Sequence, residues 1–445
     1  MGRRFLLLVA LFFVFQTGSA QAFTKAEHSL TMGDGVSLAA TLYTPDGAAP
    51  QGGWPAVLML HGLGEERSVM NAVAEAHLAP HGYAVLTIDA RGHGASGGQT
   101  SLVGTRELTD YTAALAWLRA RPGVSDVRIG AFGVSMGGAS VWKLLTTAGA
   151  RLAAAVPVTT WTSLYDSLLP QGLAKTGLVA YFYNLLPADR WHPEITTLKD
   201  DLFQGRNAQG IREFAAQRSV RNDLARIRTP VFMLQGRRDY AFDMQEALTA
   251  FARLRGPKRL YVGDLGHPPA TNPAAEQSYY FGQVRMWFDR FLKRQLNGID
   301  TRPRFELAPD PWRARTYQGA VAPARRVLRL RFRGRRTIGG LGEVVHTTAP
   351  TRRLNETFGH ALVSVKVSTP TGWPHLVAVL SALTPKGEEI VVSEGGVPTA
   401  TLGAVSRLLT IRLLSQATPI PRGSRLRLTL AGTSTEVGKI GRAHV

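Results

Sequence analysis

Between about residues 36 and 300 the chain alternates short β-rich runs with longer runs of helical spacing, a pattern that restricts it to a mostly parallel sheet covered by helices. VSLAATLYT, AVLML, AVLTID, VRIGAF, LAAAVPVT, PVFMLQG and KRLYVG read as strands in that order. Between AVLTID and VRIGAF, the run RELTDYTAALAWLRA places Leu108, Tyr111, Leu115 and Leu118 on one helical face, and RPG closes it. AEQSYYFGQVRMWFDRFLKRQL reads as the last helix of the series, ended by Asn297-Gly298. From about 161 to 220 the alternation is broken by an insertion too long for a structureless loop, which predicts a mostly helical cap.

The texture changes after Asp300. Pro303, Pro309 and Pro311 mark a linker, and beyond it VLRLRFR, HALVSVKVST, HLVAVLSALT, EEIVVSEG, RLLTIRLL and RLRLTL are separated by Gly and Pro turns. In VLRLRFR the residues Arg329, Arg331 and Arg333 share one face and Leu328, Leu330 and Phe332 the other, the period-two pattern of a sheet with one wet face. The expected fold is therefore an α/β sheet domain over 23–300, with its helical cap, followed by an all-β sandwich of jelly-roll type over 301–439.

Both ends are read separately. MGRRF is a basic lead, LLLVALFFVF an apolar run short for a bilayer, and GSAQA ends in a small-x-small pattern, so residues 1–22 read as a signal peptide cut after Ala22. This predicts an exported protein: secreted, periplasmic or associated with the cell envelope. IGRAHV at 440–445 reads as a translated sequencing adapter, which would leave the sandwich truncated beyond Lys439.

With no cysteine in 445 residues, disulfides, thiolate metal sites and a cysteine nucleophile are excluded, and covalent chemistry falls to oxygen or nitrogen. The net charge of +20 is spread as Arg along whole strands and carries no nucleic-acid motif. It reads as a solvated basic surface able to make weak contact with an anionic cell envelope, not as a nucleic-acid site.

The chemistry concentrates in GAFGVSMGG at 130–138, set between a strand and a helix run. A serine hydroxyl needs a base to take its proton, an acid to orient that base, and small neighbours that let it stand clear of the chain. Gly133 and Gly137 flank Ser135 in the pattern G-x-S-x-G, a strand-to-helix turn that displays a nucleophile. An acid and then a histidine are expected after later strands. PVFMLQG leads through RRD to Asp239, and KRLYVG through DLG to His267, so all three residues fall at the carboxyl edge of the sheet. Asp243, three residues before Glu246, reads as a helix N-cap in a capping box, and Asp264 lies too near His267 along the chain to reach its ring. The backbone N–H groups of Leu63, in HGLG at 61–64, and of Met136 are the candidate oxyanion donors. His61 has no second ligand at useful spacing and reads as support for that loop. In DARGHGAS, Asp89, Arg91 and His93 could pair among themselves and brace a glycine-rich loop. Of the cap aromatics, Trp161 and Tyr181 are the candidates to line an acyl pocket, the alternative being a place in the cap's own core. The reading requires neither cofactor nor metal.

The triad pattern, with DGVSLAATLYTPDG near the start and RGSRLRLTLAGTST near the end, resembles the α/β-hydrolase superfamily over about 30–300, and with the sandwich it resembles the Xaa-Pro dipeptidyl-peptidase and cocaine-esterase type acyl hydrolases. The resemblance maps the family's Ser, Asp and His onto Ser135, Asp239 and His267. The chain departs from close members in having Met136 where they place an aromatic residue, and His61-Gly62 where they carry a Pro-Tyr pair that contributes an oxyanion-hole tyrosine. Taken together, these features predict an exported serine hydrolase acting on a small-molecule or peptide acyl ester or amide through an acyl-enzyme. The alternatives are an Xaa-Pro dipeptidyl-peptidase and an envelope- or carbohydrate-binding protein with a vestigial hydrolase domain.

Overall fold

The β-rich runs become strands because their side chains can be buried on both faces at once. A computed structural model describes residues 23–433 apart from 324–326, 333, 340, 341 and 354; the leader-like residues 1–22 and the segment 440–445 lie outside the described residues. Strands β1 (Phe23–Thr31), β2 (Ser37–Pro45), β3 (Trp54–Leu60), β4 (Ala84–Ile88), β5 (Val124–Val134), β6 (Ala154–Val158), β7 (Val231–Gly236), β8 (Lys258–Gly263), β9 (Phe305–Leu307) and β10 (Tyr317–Gly319) form one ten-stranded sheet in the order β1-β2-β4-β3-β5-β6-β7-β8-β9-β10. β3 through β9 run parallel, while β1, β2 and β10 pair antiparallel at the two margins. In β3, Ala56, Leu58 and Leu60 face one core and Val57 and Met59 the other.

Helices α1 (Arg67–His77), α2 (Thr105–Arg119), α3 (Met136–Leu144), α4 (Leu164–Leu168), α5 (Thr176–Tyr183), α6 (Pro193–Phe203), α7 (Ala208–Gln217), α8 (Met244–Arg253) and α9 (Ala274–Leu292) complete this part of the chain. α2, α3 and α8 cover one face of the sheet, α1 and α9 the other. α4 to α7 form the inserted cap between β6 and β7. α9 stops at Leu292, short of the expected Asn297-Gly298, and the Asn297 amide turns back to donate to the Met286 carbonyl at 2.7 Å. The Pro-marked linker also holds more than expected: Phe305–Leu307 pairs in parallel with β8, a three-residue run too short to show a period in sequence.

Beyond it lie β11 (Glu343–Pro350), β12 (Asn355–Glu356), β13 (Leu362–Thr369), β14 (His375–Leu383), β15 (Glu389–Pro398), β16 (Gly403–Arg412), β17 (Pro419–Ile420) and β18 (Arg425–Ala431). An antiparallel sheet β11-β18-β14-β15 packs Leu376, Ala378, Leu428 and Leu430 against Ile411, Val363 and Val365 of the β13-β16 pair, giving two layers around a small apolar core. The expected strand VLRLRFR is not found: residues 327–332 pair with no strand, and Val327 and Leu328 stand 76% and 69% exposed. An alternating pattern provides faces but cannot supply the neighbour whose hydrogen bonds make a strand.

The β layers grip the loop between β7 and α8. Arg237, fully buried, donates to the carbonyls of Ala417 at 2.9 Å and Ala308 at 2.7 Å and pairs with Glu356, while Ala417 N–H returns a bond to the Arg237 carbonyl at 2.8 Å. At the other end of the loop, Met244 N–H donates to the Ser415 carbonyl at 3.0 Å and Ser415 N–H to the Asp243 carboxylate at 2.8 Å. Arg237→Met strands two buried carbonyls, so it should lower unfolding free energy by about 2–4 kcal/mol. Urea denaturation checks this; an unchanged midpoint would refute the clamp.

Candidate active site

β5 delivers the chain to Ser135 at φ +54° and ψ −116°, a conformation that an L residue adopts only when its surroundings hold it there. Three hydrogen bonds do so: Ser135 N–H to the Val158 carbonyl at 2.9 Å, and to the Ser135 carbonyl from Thr160 Oγ1 at 2.7 Å and from Ala139 N–H at 3.0 Å. The flanking glycines are required by space. A Cβ on Gly133 would sit 2.3 Å from the Gly137 oxygen, and one on Gly137 2.2 Å from the Leu60 oxygen. The side chain thus stands at the mouth of the cleft between β3 and β5, where the strand order reverses.

His267 follows β8 and Asp239 follows β7, and the structure brings both to Ser135. His267 Nε2 lies 3.0 Å from Ser135 Oγ, and Nδ1 lies 2.8 Å from Asp239 Oδ2, which also accepts the His267 backbone N–H at 3.2 Å. Asp239 Oδ1 accepts Phe242 N–H at 2.9 Å, so the buried carboxylate is fixed at both oxygens. Burial works against the charged imidazole, but the charge and hydrogen bond of Asp239 outweigh it and hold the His267 pKa above the ordinary histidine value. The other acids are engaged elsewhere. Asp243 caps α8 through Gln245 N–H at 3.0 Å, but Glu246 does not close a capping box, because its carboxylate is drawn to Thr162, Ser163 and Arg221. Asp264 takes Thr271 N–H at 3.2 Å.

Leu63 and Met136 line the same cavity as Ser135, and neither backbone N–H has a hydrogen-bond partner among the described residues. Met136 opens α3, so its N–H is one of the four that a helix leaves unpaired. His61 lies beneath the loop with both ring nitrogens committed: Nε2 accepts Ala90 N–H at 2.9 Å, which leaves Nδ1 to donate to the Gly62 carbonyl at 2.7 Å. Burial lowers its pKa and keeps it neutral. Glu65 accepts Gly62 N–H at 2.8 Å and fixes the loop from the other side. The expected mutual pairing of Asp89, Arg91 and His93 is corrected. Asp89 binds Arg67 and, within its own segment, Ala95 N–H; Arg91 binds Asp110 at 2.8 Å and Asp34 at 2.9 Å; and His93 turns back to the Arg91 carbonyl. Partners from three other segments thus brace the loop.

The cap closes an 80 Å³ cavity over Ser135, lined by Leu102, Trp161, Phe182, Trp191, Ile195 and Phe242 among others. Trp161 is 3% exposed, lines this cavity and donates its indole N–H to the Arg218 carbonyl at 2.8 Å. Tyr181 does not line it. It is 47% exposed on the outer side of α5, and its neighbour Phe182, a 100° step round the helix, takes the inward position. The Phe242 and Phe182 rings meet the His267 imidazole edge-on at 5.2 and 6.3 Å. Phe242 and Leu102 come from outside the cap, and no local pattern marks them.

Lys175 likewise has no sequence signal. It is buried, and its ammonium donates to the carbonyls of Tyr240 at 2.8 Å and Ala241 at 3.2 Å, directly after Asp239. Burial holds its pKa below the usual lysine range, and its charge opposes protonation of His267.

Helices on both faces of a parallel sheet, with a serine, a histidine and an acid gathered at its carboxyl edge, define the α/β-hydrolase class, and the molecule is a serine hydrolase. The chain belongs to the X-Pro dipeptidyl-peptidase (S15) family, whose sequence model matches residues 34–269. The fold is similar to that of a CocE/NonD family hydrolase from Staphylococcus aureus, at TM-score 0.70 and 16% identity over 94% of this chain and 88% of that one. It is also similar to an alpha-amino acid ester hydrolase, at TM-score 0.66 and 15% identity over 96% and 92% of the two chains. An aminopeptidase from a marine-sediment Thaumarchaeota archaeon aligns at TM-score 0.63 and 14% identity over 94% and 91%. Among curated proteins, a thiohydrolase of Aspergillus aculeatus is 29% identical over 119 residues, which is 26% of this chain and 36% of that relative.

Lys175→Met should raise the His267 pKa, because it removes a repelling charge while Asp239 stays in place. An NMR titration of the ring checks this; a fall in the pKa would contradict the electrostatic role assigned to Lys175.

Proposed function

We propose that this protein cleaves acyl esters through a Ser135-His267-Asp239 triad and an acyl-enzyme intermediate. The observation that carries the reading is the unbroken line from Ser135 Oγ through the imidazole to the buried Asp239 carboxylate, with spacings of 3.0 and 2.8 Å. His267 Nε2 takes the hydroxyl proton as Oγ bonds to the acyl carbon. The resulting oxyanion lies against the Leu63 and Met136 N–H groups, and the imidazolium, stabilised by Asp239, returns the proton to the departing alcohol. Water then repeats the sequence to release the acid. Trp161, with Phe182 and Ile195, would receive the acyl group.

Ester cleavage is favoured over release of Xaa-Pro dipeptides by the cavity's chemistry. A dipeptidyl substrate brings a free ammonium group, yet the charged side chain that lines the cavity is Lys199, a cation, set among apolar and aromatic residues. The leader-like residues 1–22 support an exported enzyme.

Ser135→Ala should lower kcat on p-nitrophenyl esters by at least about 10⁴-fold with the fold intact. Short-chain p-nitrophenyl esters should be turned over faster than Xaa-Pro p-nitroanilides, and preference for the anilides would overturn the substrate assignment. Because only neutral His267 can accept the proton, and its pKa is raised, kcat/KM should be full on the alkaline side and fall as pH drops through a value above about 6.5. An acid limb below that value would contradict the assigned electrostatics.

A further inference from the structure

β8 and β9 are parallel neighbours, with Leu260 opposite Phe305, so the loops that lead into them lie side by side at the amino edge of the sheet. That edge is about 17 Å from the catalytic one along the six residues of β8. Both loops are cationic: Arg-Gly-Pro-Lys-Arg at 255–259 and Asp-Thr-Arg-Pro-Arg at 300–304. Together with α9 they enclose a cavity of 520 Å³ with Trp287 and Phe291 among its apolar walls.

The charge on this cavity is not balanced by the protein. Six cations line it against the single carboxylate of Asp300. Arg259 is buried against Glu306 at 2.6 Å, and Arg290 binds Asp300 at 2.7 Å. That leaves Arg255, Lys258, Arg302 and Arg304, none of which has a carboxylate partner among the described residues. The Lys258 ammonium donates to the Leu254 carbonyl at 2.7 Å and lies over the Phe251 ring at 5.3 Å. Burial, and then the neighbouring Arg304, hold its pKa below the usual lysine range. Arg255, Arg302 and Arg304 are exposed at the cavity's rim.

We propose that this cavity binds an anion carrying phosphoryl groups. Guanidinium forks match phosphate oxygens two at a time, a multiply charged group relieves the repulsion among the four unpaired cations, and the apolar walls accept the rest of the ligand. The site lies away from Ser135 and does not depend on the reading of the hydrolytic reaction.

The test uses the full chain at low ionic strength in two arms: calorimetric titration with inorganic pyrophosphate, and co-sedimentation with phosphatidylglycerol vesicles against phosphatidylcholine vesicles. The variants are R302E/R304E, R255E in the other loop, and R329E/R331E as a charge-matched control on exposed residues elsewhere. Saturable binding that weakens at least tenfold in R302E/R304E and in R255E, but not in the control, supports the site. Binding of pyrophosphate identifies a free phosphorylated anion as the source, whereas binding of phosphatidylglycerol vesicles alone identifies a lipid headgroup. Equal weakening in all variants would reduce the effect to bulk charge and overturn the proposal, as would the absence of saturable binding in both arms. Hydrolysis of p-nitrophenyl esters should be unaltered in every variant.

Discussion

The backbone of Ser135 is the constraint around which the catalytic half is organised. A non-glycine residue at φ +54° costs of the order of 1–3 kcal/mol, and the chain returns to relaxed geometry on both sides, entering from β5 and leaving as α3. The strain is sustained because β5 lies deep in the sheet between β3 and β6, and because Val158, the last residue of β6, and Thr160, just beyond it, hold the turn by its own amide and carbonyl. Relaxing the turn would break those bonds. One conformation therefore sets three things together: an accessible hydroxyl, a free Met136 N–H at the start of α3, and contact with the loop after β3.

The proposed acid is secured differently. Asp239 sits on a loop between β7 and α8, and loops drift unless their backbone groups are engaged. Here the loop is tied at one end by Arg237 to Ala417 and Ala308, and at the other by Asp243 and Met244 to Ser415, with Lys175 of the cap holding the carbonyls in the middle. The β layers and the cap thus meet at the segment that orients the imidazole. That gives the C-terminal layers a physical task besides covering surface, since the position of a carboxylate within hydrogen-bond range of Nδ1 depends on contacts more than 170 residues away in the chain.

Much of this was legible in the sequence because its determinants are local. Residue type, order and position after a strand are enough to nominate Ser135, Asp239 and His267, and the small residues around the serine reflect the close approach of Leu60 and Thr160. What escaped was set by packing between distant segments. Lys175 looks like any surface lysine until the Tyr240 and Ala241 carbonyls come to meet it. Phe242 and Leu102 reach the cavity from outside the inserted cap. Tyr181 and Phe182 are both aromatic and adjacent, and only the rotation of α5 against the sheet separates the outward ring from the inward one. Residues 327–332 show the reverse error, a clean alternation without a partner strand. Asp89 and Arg91 do not pair with each other, as their proximity in sequence suggests, but brace the loop through Arg67, Asp110 and Asp34 from elsewhere in the chain.

The central claim is that the hydroxyl of Ser135 is activated by its neighbours, and covalent labelling tests it most directly. Folded protein treated with a fluorophosphonate and analysed by intact mass and peptide mapping should carry one phosphonyl adduct, on the peptide containing Ser135, and Asp239→Asn should slow its formation. An adduct on a different residue, or none on protein that still hydrolyses esters, would contradict the account.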